Sequence, residues 1–349
     1  MNTMLAGRLH LDTRKFAVEE IPVPVPGPGE VLIEVKAAGV CLSDLHLIDG
    51  SISPPHPDPS GVVTLGHEIS GVIHTLGTGL RRGLTAGTRV ALQAGQSCDR
   101  CAGCARRGSC TEFRIRGADY DGGWAQYTLA REDTLVPIPG QLPFDQAAII
   151  PDAVSTAYAA LMATVQVRPA QAVGIWGVGG LGVHAVRIAR MAGAAPVIAV
   201  DPLPGARERA LAFGADLAVD PAGPGFAEAV LQATGGRGLD YAFDFAGVPA
   251  AREQALPALG EHGALVLVGI TNHPLTISEG MTFNYRNKTV TGHFGSSFEH
   301  VYELVQLVGC GRLDLAPSIT GRIPLVQATE AVDRLQHKTG DPIRLILVP

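Results

Sequence analysis

Residues 172–201, AVGIWGVGGLGVHAVRIARMAGAAPVIAVD, decide the fold. An apolar run breaks at a glycine cluster, continues as an amphipathic helical segment, and returns as a second apolar run that ends in an acid. Gly177, Gly179 and Gly182 stand at G-x-G-x-x-G spacing, with Gly180 and Leu181 completing the loop, and Asp201 follows Gly182 by nineteen residues. In such a turn the first glycine makes the tight corner, the second lets the backbone approach a pyrophosphate, and the third permits close helix–strand packing. The helix N-terminus adds unpaired N–H groups and partial positive charge for that anion. Strand, glycines, helix and acid together predict a dinucleotide site; a ligand-free strand-to-helix turn is the alternative. Asp201 can accept hydrogen bonds from both ribose hydroxyls of NAD and would repel the extra phosphate of NADP, so NAD is the expected cofactor. Arg207 and Arg209, close behind it, are the counter-indication.

Working outward, the segments APVIAVD, LDYAFDFAG and GALVLVGI repeat the continuous apolar texture between Ala-rich helical stretches, which predicts a parallel sheet covered on both faces from about Ala147 onward. Before that point the texture is different: VLIEV, VVTLGHEISGVIHTLG, TRVALQAG and DGGWAQYTLA are short, glycine-punctuated strand candidates that predict an irregular, mainly antiparallel β region. After about Ser297 comes one helix-like piece, FEHVYELVQLVGCGRL, and then short strands ending RLILVP that could rejoin the first region; Cys310 is expected to pack in a core. A chain of 349 residues exceeds what one hydrophobic core usually organises, so two domains are expected.

The formal charge of −6 gives no electrostatic reason to bind nucleic acid, and there is no run of about eighteen apolar residues to cross a membrane. The N-terminus lacks the apolar core and small-residue cleavage site of a leader, so a cytoplasmic protein with reduced thiols is expected. That makes SCDRCAGCARRGSC, residues 97–110, a metal cluster before a disulfide framework: Cys98, Cys101, Cys104 and Cys110 are thiolate ligand candidates. A second set lies apart in sequence. GVCLSDLHLIDG carries Cys41, Ser43, Asp44 and His46, LGHEISG carries His67 and Glu68, and IIPDAVSTAY carries Asp152. By residue type alone, a buried cysteine and a satisfied histidine are the favoured readings of Cys41 and His67, and a helix N-cap is that of Asp152.

GVCLSD, GHEISG, the four-cysteine stretch, DGGWAQY, IIPDAVSTAY, GVGGLG with its acid and the closing IRLIL, in that order, resemble the zinc-dependent medium-chain alcohol dehydrogenases over essentially the whole chain. The resemblance implies an α/β protein: a Rossmann doubly wound parallel sheet (153–296) inserted in a GroES-like, mainly β catalytic domain (1–152, with a zinc lobe at about 95–112, and 297–349). It implies two zinc ions per chain. One is catalytic, on Cys41, His67 and Asp152, with Glu68 as an exchangeable fourth ligand or a neighbour; the other is structural, on Cys98, Cys101, Cys104 and Cys110. Many members have Cys at the position of Asp152, and a branch acting on secondary alcohols has Asp. A carboxylate donates less electron density than a thiolate, which leaves the ion a stronger Lewis acid. The gap before Cys110 is two residues shorter than usual for the family.

By the same resemblance Asp44 orients His67, and Ser43 and His46 relay a proton while a hydride passes between an alcohol and NAD. Thr156, Gly269 and Ile270 meet the cofactor, and Arg344 meets its pyrophosphate. Ala94, Trp124, Ile270 and Phe294 are the substrate-pocket candidates; a small Ala94 suggests a bulky or secondary alcohol. The expected partners are a small alcohol or carbonyl substrate and further copies of the chain in a homodimer or homotetramer. An ene-reductase of the same fold and a non-catalytic NAD-binding protein are the competing readings. Ser43 and His46 speak against the first and the intact ligand set against the second.

Overall fold

The computed structural model describes residues 2–106 and 110–349, so the gap before Cys110 lies in part (107–109) outside the described residues. The chain divides into two units, Met1–Ala153 with Ser296–Pro349, and Val154–Gly295.

The second unit is organised by the glycine stretch. Val173–Trp176 is wholly buried, as an apolar strand covered on both faces must be. Among the described residues it lies in a six-stranded sheet in the order Leu217–Val219, Val197–Val200, Val173–Trp176, Leu239–Asp244, Leu259–Leu267, Thr289–Gly292. All its pairings are parallel. The chain winds outward one way from Val173–Trp176 and then crosses to wind the other way from Leu239–Asp244. The strand order therefore reverses between these two, and the crevice at their carboxyl ends is where such sheets bind ligands. Helix Gly182–Met191 buries Val183, Val186, Ile188 and Ala189 and turns Arg187 and Arg190 outward. Gly177 takes a left-handed φ of 85°, and a Cβ on Gly182 would overlap the Gly177 carbonyl oxygen. Both glycines are thus demanded by backbone geometry before any ligand is considered.

The first unit hangs on one long strand, Glu30–Val40, which pairs antiparallel with Ile69–Leu76, Tyr127–Arg131 and Arg344–Val348. Arg344–Val348 in turn pairs parallel with Ile319–Pro324, so the C-terminal strands join the sheet built on Glu30–Val40. Leu9, Ile33, Ile69, Leu92, Trp124 and Leu345 are fully buried in its core. The stretch VVTLGHEISGVIHTLG is not one strand: it breaks into Val62–Thr64 and Ile69–Leu76, with Gly66 at φ 92° in the joint. His67 and Glu68 occupy that break.

Two features depart from expectation. The C-terminal stretch holds a helix, Ala328–Gln336, where only strands were read; its inward face carries Ala328, Ala331, Val332 and Leu335 at i, i+3, i+4 and i+7 spacing. Cys310 is exposed, because it caps the end of helix Phe298–Gly309 and lies off the buried stripe of Val301, Leu304 and Val305.

Replacing Gly182 by Ala should cost about 1–3 kcal/mol, the usual scale of forced overpacking. The test is chemical denaturation of the variant against the parent protein.

Candidate metal centre and dinucleotide site

The metal candidates begin where the central strand ends. Cys41 follows Val40 directly and is the N-cap of helix Leu42–Asp49. Asp44, three residues on, accepts from the Cys41 N–H through Oδ2 (3.0 Å), a capping box in which the cap residue is a thiol. The other oxygen, Oδ1, accepts from Gly66 N (3.2 Å) and lies 3.5 Å from His67 Nδ1. One fully buried carboxylate therefore holds the start of this helix and the turn carrying His67, and faces the imidazole.

Asp152 arrives from a third direction. It sits in a π-helical turn, Ile150–Val154, that follows helix Phe144–Ala148, so it is not a helix N-cap. Single π turns are frequent at functional sites. Its Oδ2 lies 3.4 Å from His67 Nε2 and 3.6 Å from Cys41 Sγ. Tetrahedral coordination at about 2.0–2.3 Å requires ligand atoms about 3.3–3.7 Å apart, so these three side chains fit one ion. Glu68 completes a group whose ligand atoms all lie within 4.8 Å of one another.

Glu68 is fully buried and its Oε1 is ion-paired with Arg344, while its Oε2 has no hydrogen-bond partner in the protein. Gly39 makes room for it, since a Cβ there would overlap Oε2. The pair was not legible in sequence: 276 residues separate its members, and only the pairing of Arg344–Val348 with the central strand brings them together. Arg344, which the resemblance assigns to a pyrophosphate, is 3 % exposed and is engaged with this carboxylate.

Burial pushes the His67 imidazole toward its neutral form, but Asp44, Asp152 and Cys41 together hold its pKa well above the ordinary value. Convergent anionic groups favour a positive charge at their centre. Ser43 Oγ lies 3.7 Å from Cys41 Sγ, and His46 is three residues further along the same helix; both are half-buried.

The four-cysteine lobe is compact. Sγ of Cys104 lies 3.9 Å from that of Cys98 and 3.5 Å from that of Cys101, and Cys101 and Cys110 are 4.0 Å apart. Four thiolates about 2.3 Å from one zinc stand about 3.8 Å apart, so this set also fits an ion. The hydroxyl of Thr111 and the N–H groups of Cys104 and Thr111 hold the Cys101 thiol down to about 5. Desolvation and the facing thiols of Cys101 and Cys110 push Cys104 up to about 12. A cation at the centre would remove that conflict.

In the second unit Asp201 reaches back to the glycine turn: Oδ2 accepts from Val178 N (2.8 Å) and Oδ1 from Leu203 N (2.9 Å). Arg207 donates to the carbonyls of Asp201 (2.7 Å) and Pro202 (2.8 Å) and pairs with Asp220, and Arg209 donates to the Val178 carbonyl. A Cβ on Gly179 would meet nothing within 4 Å, so its face of the turn is open. Gly269 abuts Gly247 at the neighbouring strand ends, and Thr156 is buried. Of the pocket candidates, Ile270 and Phe294 are exposed and Ala94 is half-buried. Trp124 is corrected: it is fully buried, donates to the Gly39 carbonyl (2.9 Å) and packs edge-on to Phe16, so it supports the site's backbone and lines no pocket. Gly66 admits the indole into the core, since a Cβ there would overlap the ring.

Comparison with known proteins agrees with this layout. Residues 27–140 match the alcohol dehydrogenase GroES-like domain and residues 180–309 match the zinc-binding dehydrogenase family. The chain is 32 % identical to the L-threonine 3-dehydrogenase of Pyrococcus horikoshii over 94 % of each chain. It is 36 % identical to an alcohol dehydrogenase of Rhizobium meliloti over 89 % of this chain and 90 % of that one. A putative zinc-binding dehydrogenase from Sinorhizobium meliloti, solved bound to NADP, superposes with a TM-score of 0.90 at 28 % identity over the full length of both chains. No helix among the described residues is long and apolar enough to cross a membrane.

Replacing Arg344 by Met should destabilise the fold by about 3–5 kcal/mol, because it leaves Glu68 charged and alone in the interior. Adding Glu68→Gln should recover most of that loss. Urea titrations of the parent, single and double variants check the coupling.

Proposed function

The chain belongs to the medium-chain zinc-dependent dehydrogenases and is an oxidoreductase of that family, and we propose that it interconverts an alcohol and its ketone or aldehyde with NAD as hydride carrier. The observation that carries this reading is the convergence of Cys41 Sγ, His67 Nε2 and Asp152 Oδ2 on one point, with separations of 3.4 and 3.6 Å to the carboxylate. Three protein ligands leave a tetrahedral ion one open position, the mark of a catalytic centre. Zinc bound there would supply a Lewis acid for the substrate oxygen, and NAD would supply the hydride acceptor.

The protein's own groups do the rest. Asp44, facing Nδ1 of His67, keeps the proton on that nitrogen and leaves the Nε2 lone pair for the ion. Asp152 gives the site a hard oxygen ligand in place of a second thiolate, which favours polarisation of the substrate oxygen. Ser43 accepts the proton of the alcohol, and His46, one helical turn away on the same face, passes it to solvent. In the second unit Asp201 accepts from the adenosine ribose. Arg207, already bound to two carbonyls and Asp220, is not set to hold a 2′-phosphate, which supports NAD over NADP.

Cys98, Cys101, Cys104 and Cys110 hold a second zinc with no open position, whose work is to fix the lobe. None of the six cysteines is in a disulfide, in keeping with a cytoplasmic location. Active molecules are homodimers or homotetramers, which light scattering measures directly.

Metal analysis should find about two zinc ions per chain, and about one after Cys98→Ser. Asp152→Asn should lower kcat/KM for every alcohol in a panel of primary, secondary, allylic and cyclic substrates. The loss should exceed about 100-fold, the upper range for groups one step further from a metal. Faster reduction of conjugated enones than oxidation of any alcohol would assign the chain to ene reduction instead, and faster turnover with NADP would overturn the role of Asp201. Ser43→Ala should lower kcat by about 10²–10⁴-fold at neutral pH, the usual worth of a positioned proton acceptor. The deficit should shrink as hydroxide takes over at high pH, which a pH–rate profile reads.

A further inference from the structure

Beyond the glycine turn and Asp201, the second unit contains a buried ion pair that the mechanism leaves without a role. Asp244 ends strand Leu239–Asp244, on the carboxyl side of the sheet where the strand order reverses. It is fully buried. Its Oδ1 accepts from Ala246 N (3.0 Å) and Gly247 N (2.8 Å), and its Oδ2 accepts from Arg252 Nε (2.8 Å). The backbone carbonyl of Asp244 accepts from Val268 N (2.9 Å) and Gly269 N (2.7 Å), the first residues after the neighbouring strand Leu259–Leu267. Arg252 stands on helix Pro249–Ala258, is 6 % exposed, and sends Nη2 to the carbonyl of Gly269 (3.3 Å). One guanidinium therefore ties two adjacent strand exits to the helix between them.

These exits touch the dinucleotide turn. Gly177 takes its left-handed conformation against Ala246, where a Cβ would meet the Ala246 nitrogen at 2.8 Å. Gly247, at φ 68°, lies so near the next loop that a Cβ would meet the Ile270 carbonyl oxygen at 3.0 Å, and Gly269 has no room for one beside Gly247. Backbones this close move together or not at all. A buried, hydrogen-bonded ion pair is costly to assemble and weak evidence for stability in itself, so its geometry is the informative part.

We propose that Arg252 is a positioning residue for the cofactor: through Asp244 and the Gly269 carbonyl it sets the height of the Ala246–Gly247 and Gly269–Ile270 backbones, on which the nicotinamide half of the dinucleotide lies. The inference rests on the second unit being a dinucleotide site. Arg252 touches no substrate and no reacting atom. It acts on binding of the cofactor, so its loss raises KM for NAD and the NADH dissociation constant while kcat at saturating NAD changes little.

The test uses the full-length, zinc-loaded protein with Arg252→Met and Arg252→Lys, and measures NADH binding by fluorescence titration, KM and kcat for NAD, zinc content and thermal unfolding. Arg252→Met should weaken NADH binding about tenfold, the scale of lost hydrogen bonds to a charged group. Arg252→Lys keeps a cation for Asp244 but cannot also span to the Gly269 carbonyl, so it should fold normally and still bind NADH more weakly than the parent. That variant carries the test should the Met variant fail to fold. Zinc content should not change. A lower unfolding temperature with unaltered NADH affinity and KM in both variants would reduce Arg252 to a purely structural role and overturn the proposal. Failure of the parent protein itself to bind NADH or NADPH would instead overturn the dinucleotide reading, and the two results are distinguishable in the same titrations.

Discussion

Carboxylates share a dry interior only where something cationic shares it with them, and the first unit is arranged around that constraint. Asp44, Glu68 and Asp152 converge on Cys41 and His67, with Asp44 and Glu68 fully buried. Arg344 answers one charge, on Glu68; Asp44 and Asp152 flank the imidazole and raise its pKa. A divalent ion would answer them all at once, and its uptake would be coupled to deprotonation of the groups that hold it. The cost of leaving such a group without its cation explains why so many distant segments must meet at one point.

The central strand Glu30–Val40 is the device that makes them meet. Its end delivers Cys41, and its antiparallel neighbour Ile69–Leu76 begins just past His67 and Glu68. Its other neighbour, Arg344–Val348, delivers the arginine. Gly39, within the same strand, omits a side chain so that Glu68 can turn inward, and its carbonyl takes the indole N–H of Trp124. In the second unit the same economy appears in backbone form: Gly177, Gly182, Gly247 and Gly269 allow main chain to pack on main chain, and Asp244 with Arg252 clamps the loops that result.

Local chemistry was legible from residue order. The glycine turn follows from steric demands of strand and helix within eleven residues, and the doubly wound sheet follows from apolar strands alternating with helices. The four lobe cysteines are close in space because they are close in sequence. The helix Ala328–Gln336 is periodic, with Ala328, Ala331, Val332 and Leu335 facing the core at i, i+3, i+4 and i+7, but two of the four are alanine, so its inward face stands out by spacing more than by residue type. Trp124 and Cys310 were misplaced for a related reason: a residue type carries an average burial, and its own burial depends on which face it shares and with what.

Sequence alone determined the two fold textures, the phosphate-type turn and the thiolate cluster, because each is written in neighbours along the chain. That Cys41, His67 and Asp152 meet at all was decided by tertiary structure, since their separations of 3.4 and 3.6 Å arise from strand pairing and a π-helical turn that bridge up to 111 residues. The same holds for Glu68 with Arg344 across 276 residues. Charge is a local property of a side chain, but the cost of burying it, and hence the partner it must find, is set by everything that packs around it.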